Sequence, residues 1–131
     1  MTIREGYTAK LHDKVIAEAV KILSQEHFDI YTNPNKEKNA GINDNYPDII
    51  LTEKGTNTVK FIIEVETVDS ITENEAENQW KKFATEIKST FYLLVPANSI
   101  NKANELCKKL GINVRFAQYT ETAESINIKF D

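Results

Sequence analysis

Three acidic side chains fall where they could act together. Glu64 and Glu66 close the run Phe61-Ile62-Ile63-Glu64-Val65-Glu66-Thr67, and Asp48 follows Pro47 in Tyr46-Pro47-Asp48-Ile49-Ile50-Leu51. Alternate residues of a strand share a face, so Phe61, Ile63 and Val65 point one way while Ile62, Glu64 and Glu66 point the other. The cluster Glu53-Lys54-Gly55-Thr56-Asn57 between the two runs is turn-forming. A hairpin turning about Gly55 sets Asp48 across from Ile62 or Glu64, and three carboxylates converge. Two charges about 4 Å apart repel by roughly 4 kcal/mol at an effective dielectric near 20, a cost that a bound cation relieves. A hard ion such as Mg²⁺, or Mn²⁺ in its place, takes one or two carboxylates, keeps several waters and stays open to phosphate oxygens. It polarises the phosphate and lowers the pKa of an attacking water, so phosphodiester hydrolysis is the reaction such a trio serves. Each residue has a plainer reading beside this one. Glu64 and Glu66 also fit the solvated face of an amphipathic strand, and Pro47-Asp48 also fits a simple strand start.

The elements that must hold these residues can be read along the chain. Leu11, Val15, Ile16, Ala19, Val20, Ile22 and Leu23 follow the 3.6-residue period and predict a helix over about Ala9 to His27. Phe28 to Tyr31 is a short β-prone run. The stretch from Asn33 to Tyr46 is rich in Asn, Gly and charge and predicts a long loop, a candidate substrate-contacting flap. Pro47 to Leu51 and Thr58 to Thr67 form the hairpin. Ser70 and Glu73 fit a capping box, after which Ala76, Trp80, Phe83, Ala84 and Ile87 line one face of a helix over about Ile71 to Lys88. Phe91 to Val95 reads as a strand buried on both faces and central in the sheet. Ser99 can cap a third helix through about Leu110, ended by Gly111. Ile112 to Tyr119 and Ser125 to Phe130 supply two further strands, the last alternating as an edge strand would. The order is αβββαβαβ with a terminal strand, an α/β architecture with a mixed central sheet flanked by helices, and nothing divides residues 1–131 into more than a single domain.

A Pro-Asp before one strand and a Glu-x-Glu ending the next resembles the PD-(D/E)xK nuclease superfamily, the restriction-endonuclease-like proteins. The residues that carry the resemblance are YPDIIL, with Pro47 and Asp48, and FIIEVET, with Glu64 and Glu66. The resemblance implies an αβββαβ core over about Leu11 to Val95 and Mg²⁺-dependent cleavage of nucleic acid, with Asp48 and Glu64 as metal ligands. The slot of the superfamily's usual lysine holds Glu66, which would assist. Some members carry Glu there, and Lys81 or Lys82 on the next helix could supply the missing charge, although both lie away from that helix's apolar stripe and also fit a solvated face. Glu18 shares helical spacing with Leu11, Val15 and Ile22 and borders the buried face. A first-helix Glu of the superfamily often completes the metal shell, so the resemblance gives Glu18 that role. Gln79, with Phe83, is similar to the Gln-x-x-x-Tyr element of exonuclease-like members, with Phe replacing Tyr, and it also fits an ordinary flanking position.

Composition limits what else the chain could be. At 131 residues it can bury roughly two thirds of the surface of its unfolded chain. With 40% hydrophobic and 27% charged residues it belongs with globular proteins. No run reaches the length of a membrane span, and Met1 to Lys10 lacks the apolar core of a secretory signal, so a cytoplasmic protein is expected. The formal net charge of −4 sets the overall field against a phosphate backbone, which argues against a protein that simply coats nucleic acid. The lone Cys107 shares a helical face with Ala103, Leu106 and Leu110 and should pack inside. His12 and His27 have no Cys or His partner at zinc-ligand spacing and suit surface or capping roles. The stretch from Gly55 to Lys60 is too short for a P-loop, and Trp80 packs most simply in the core.

Three readings follow. The chain is a metal-dependent deoxyribonuclease, or a catalytically inactive nuclease-fold module kept for binding or assembly, or an unrelated α/β domain whose acidic face docks a basic partner. A chain this short has little room for a separate specificity domain, which makes a homodimer or a protein partner a natural companion to the first two.

Overall fold

A computed structural model describes residues 3–23, 26–34 and 37–130. Helix α1 spans Ile3–Ile22. It starts earlier than the apolar period alone predicts and ends earlier too; positions 24 and 25 of the expected helix lie outside the described residues. Strands β1 (Phe28–Thr32), β2 (Ile49–Glu53) and β3 (Val59–Val65) form an antiparallel meander. After a 3-10 turn at Val68–Ser70 comes helix α2, built from an α-turn Glu73–Glu75, a π-turn Ala76–Trp80 and an α-helical stretch Lys81–Glu86. Strand β4 (Thr90–Pro96), helix α3 (Ile100–Leu110), β5 (Arg115–Glu121) and β6 (Ile126–Phe130) complete the order.

The six strands make one mixed sheet in chain order, β1-β2-β3-β4-β5-β6. β3, β4 and β5 are mutually parallel and β6 returns antiparallel, which leaves β1 and β6 at the edges and β4 in the interior. The two parallel steps are each bridged by a helix, as a crossover requires. The hairpin register is the one expected of a turn about Gly55: Ile49 faces Ile63 and Ile50 faces Ile62, so the next pair outward is Asp48 and Glu64. Gly55 has φ 76°, a left-handed turn that glycine adopts without strain.

The strand alternation sorts the core into two layers. Ile50, Ile62, Leu93 and Val95 pack under Ala76, Trp80, Phe83 and Ile87 of α2 and Ala103 and Cys107 of α3. Ile49, Leu51, Ile63, Val65 and Leu94 pack under Val15, Ile16 and Ala19 of α1. The chain is therefore a helix-sheet-helix sandwich. No helix of the described residues is long and apolar enough to cross a membrane.

Two caps differ from expectation. Helix α2 begins after Thr72, whose Oγ1 accepts from Glu75 N at 3.2 Å, while Ser70 instead closes the preceding turn onto Thr67. The hydroxyl of Ser99 makes no capping bond to α3, whereas Gly111, at φ 68°, ends that helix as anticipated. The loop before β2 is also more structured than a flap. Its residues 35 and 36 lie outside the described residues, but Asn45 donates to Glu86 Oε1 at 3.1 Å and Asn43 to Glu86 O at 3.0 Å, which fastens the loop to α2.

Two measurements check this packing. Leu93 is fully buried in the middle strand, so Leu93→Ala should lower unfolding stability by about 2–5 kcal/mol in a denaturant titration. Cys107 is 3% exposed and burial pushes its thiol up to about 11, so an alkylating reagent at pH 8 should label it only after the protein is unfolded.

Candidate functional site

Pairing between β2 and β3 stops at Ile49 and Ile63. Beyond that point side chains replace the backbone ladder. Val65 N donates to Asp48 Oδ2 at 2.7 Å, and Asp48 N donates to Glu64 Oε1 at 3.1 Å. Each strand end thus lends the other a carboxylate where a carbonyl would otherwise stand. Asp48 and Glu64 are both 7% exposed and Glu66 is 2% exposed, so all three acids are taken out of water at one end of the sheet.

Burial of like charges in one place must shift protons. Glu64 is held well above its ordinary 4.5, first by burial, then by the negative charges of Asp48 and Glu66 and by a carboxyl contact with Asp48; the Asp48 N–H opposes this only in part. Glu66 is likewise raised well above 4.5, by burial and then by the charges of Glu75 and Asp48. Ser70 and Trp80 lie close enough to favour the charged form of Glu66, yet Glu66 Oε1 and Trp80 Nε1 are each buried without a hydrogen-bond partner. The carbonyl of Glu66 is fixed by Tyr119, whose hydroxyl donates to it at 2.8 Å.

Among the described residues, the basic side chain that reaches this trio comes from α1. His12 Nε2 lies 3.0 Å from Asp48 Oδ2, and His12 Nδ1 lies 3.3 Å from Asp13 Oδ1. Burial lowers the His12 pKa, but the bond and charge of Asp48, with help from Asp13, outweigh it and leave it raised above 6.5. The surface or capping role expected for His12 is therefore corrected. The signal was present in the spacing, because His12 shares the helical face of Val15, Ile16 and Ala19, all buried under the sheet. His27 is exposed, as expected.

Two expected members stand apart. Glu18 pairs with Lys21 at 3.0 Å, and no hydrogen bond or ion pair joins it to the three acids among the described residues. Six residues beyond His12, it is rotated by about 120° around the axis and displaced by about 9 Å along it, so the same helix cannot present both to one point. Gln79 is half-buried on the π-turn of α2 and likewise makes no bond to these carboxylates among the described residues. Lys81 and Lys82 are exposed and form no ion pair among the described residues. In their place Glu75, which sequence reasoning did not single out, contributes its charge to the surroundings of Glu66.

Among the described residues no three His, Cys, Asp or Glu side chains are grouped closely enough to enclose a metal ion. Asp48 and Glu64 are the two carboxylates that could hold a Mg²⁺ ion, whose remaining positions would go to water. The donor set suits such an ion in a second respect, since a cation would offset the mutual repulsion that raises Glu64 and Glu66 above their ordinary carboxylate range. Comparisons with protein-family models, with curated proteins and with solved structures find no match to this chain.

The raised groups give the fold a pH dependence of definite sign. A carboxyl raised above 4.5 in the folded state binds its proton more tightly there than in the unfolded chain, so its contribution is full below 4.5 and is lost as pH rises through the folded pKa. His12 acts in the same direction above 6.5. Thermal stability without divalent cations should therefore fall as pH is raised from about 5 to 8. Glu66→Gln should flatten that fall and raise the melting temperature at pH 8, with little effect near pH 4.5. An equal fall in both proteins would show that Glu66 carries no such charge penalty.

Proposed function

We propose that this chain is a divalent-cation-dependent phosphodiester hydrolase of the restriction-endonuclease-like kind, acting on DNA, with Asp48 and Glu64 as the ligands of Mg²⁺ or Mn²⁺. The observation that carries the reading is the reciprocal bonding of Asp48 and Glu64 across the open end of the β2–β3 hairpin, which holds two buried carboxylates side by side. The element order supports it: a first helix, an antiparallel meander of three strands, a helix and a fourth strand parallel to the third is the αβββαβ arrangement that the Pro47-Asp48 and Glu64-x-Glu66 resemblance implies.

A bound ion polarises the phosphate and provides a water of lowered pKa. The chain's own part is to place and orient. Val65 N–H and His12 both address Asp48 Oδ2 and leave Oδ1 outside those two bonds, while the Asp48 N–H occupies Glu64 Oε1 and leaves Oε2 outside that bond. Glu64, held above its ordinary range, would have to be ionised to hold a cation, so binding should tighten as pH rises. With a net charge of −4, attraction of a phosphate backbone depends on that local positive charge and not on the overall field.

One observation favours the second reading, a nuclease fold kept as a binding or assembly module. Glu66 fills the lysine slot and is buried among acids and Trp80, and no lysine pairs with the three carboxylates among the described residues. Incubation of the purified protein with single- and double-stranded DNA, in Mg²⁺ or Mn²⁺, separates the two. The hydrolase reading expects metal-dependent cleavage that drops by about 100-fold or more in Asp48→Ala and in Glu64→Ala, as loss of charge stabilisation at a reacting phosphate should. Mn²⁺ binding that depends on Asp48, without cleavage of any of these substrates, selects the module instead.

A further inference from the structure

The buried side chain whose bonds lead most directly to the site is not one of its acids. Asn33, the residue after β1, is 2% exposed. Its Nδ2 donates to Pro47 O at 2.7 Å and to Ala40 O at 2.8 Å. Its Oδ1 accepts from Asn39 N at 2.9 Å and Ala40 N at 2.8 Å, which fixes the orientation of the amide. Its backbone N donates to Asp48 O at 3.0 Å. The amide thus uses both donors and both acceptor positions, and Asn33 as a whole grips the carbonyls on either side of the Asp48 α-carbon. Few side chains could do the same, since Asp lacks the donors, Ser the span and Gln the short reach.

We propose that Asn33 is the positioning residue for Asp48: by holding Pro47 O and Asp48 O it fixes the backbone from which the Asp48 carboxylate reaches Val65 N and His12. The proposal rests on the reading of Asp48 as a metal ligand, and it gives the loop between β1 and β2 a purpose other than touching substrate. The loop is folded back so that Asn39 and Ala40 complete the shell of Asn33. Gly41 permits this, because a β-carbon there would lie 2.6 Å from Tyr46 Cε1. Partners that orient a metal ligand commonly matter to metal affinity by about 10–100-fold.

A comparison of Asn33→Ala and Asn33→Asp with Asn45→Ala tests the idea. Asn33→Asp removes the bonds to Pro47 O and Ala40 O but keeps the acceptor for Asn39 N and Ala40 N, so it retains more of the loop's bonding than the alanine variant. Asn45 is as deeply buried in the same loop but is bonded to Asn43 and Glu86 and not to the Asp48 backbone, so its variant reports what loosening the loop does by itself. Two readouts are needed. Amide hydrogen exchange at Val65 reports the Val65 N–H bond to Asp48 Oδ2 without any metal. Titration with Mn²⁺ reports the ligand set. Expected in the Asn33 variants are faster exchange at Val65 and Mn²⁺ affinity weakened by about 10–100-fold, with neither change in Asn45→Ala. Unchanged Val65 exchange in the Asn33 variants, or an equal loss in Asn45→Ala, overturns the proposal. If the unmutated protein binds no Mn²⁺, the metal reading fails on its own, and Val65 exchange alone decides whether Asn33 positions Asp48.

Discussion

Asp48, Glu64 and Glu66 share a region from which water is largely removed, at the point where the β2–β3 ladder ends, and the rest of the molecule accommodates that fact. A strand end normally leaves backbone donors to find solvent or another strand. Here Asp48 and Glu64 accept from each other's strands, so the carboxylates are also the last rungs of the sheet. This gives them a structural reason to stay inside that apolar residues of similar size could not supply. Around them α1 contributes His12, the loop contributes Asn33, and β5 contributes the Tyr119 hydroxyl on the Glu66 carbonyl. Three separate elements converge on two strand ends.

Much of this was legible in the sequence because it depends on counting over short distances. The turn at Gly55 and the alternation from Phe61 to Glu66 determine register and facing within a twenty-residue span, and the observed pairing of Ile49 with Ile63 follows from them. The apolar stripe of α2 was likewise local, and Trp80 and Phe83 lie where it put them. The π-turn within α2 was not legible, since one extra residue in a turn leaves the set of buried positions nearly unchanged. His12 was missed for a different reason. His12 stands three, four and seven residues before Val15, Ile16 and Ala19, within the buried stripe of α1, but helical spacing does not say which group of the sheet it meets; Asp48, 36 residues away, decides that. Asn33 and Asn45 were hidden in a stretch whose composition reads as solvated loop. Asparagine satisfied by backbone groups inside the protein looks the same in sequence as asparagine satisfied by water.

The remaining question of activity turns on energy more than on geometry. Buried acids beside one another cost stability unless they share protons or a cation, and apolar side chains of like size would usually serve a fold better. Glu64 meets that cost with a backbone bond and a raised affinity for its proton. Glu66 differs. Its Oε1 and the neighbouring Trp80 Nε1 are left without partners in the interior, a mutual deficit that a small movement or one inserted polar group would repair. Asn45 Oδ1, Thr52 Oγ1 and Ser89 Oγ are also buried without a partner among the described residues, and the Glu66–Trp80 deficit is the one beside the buried acids. Asp48 and Glu64 are bonded into the two strand ends, whereas Glu66 lies beside Trp80 with its Oε1 left without a hydrogen-bond partner.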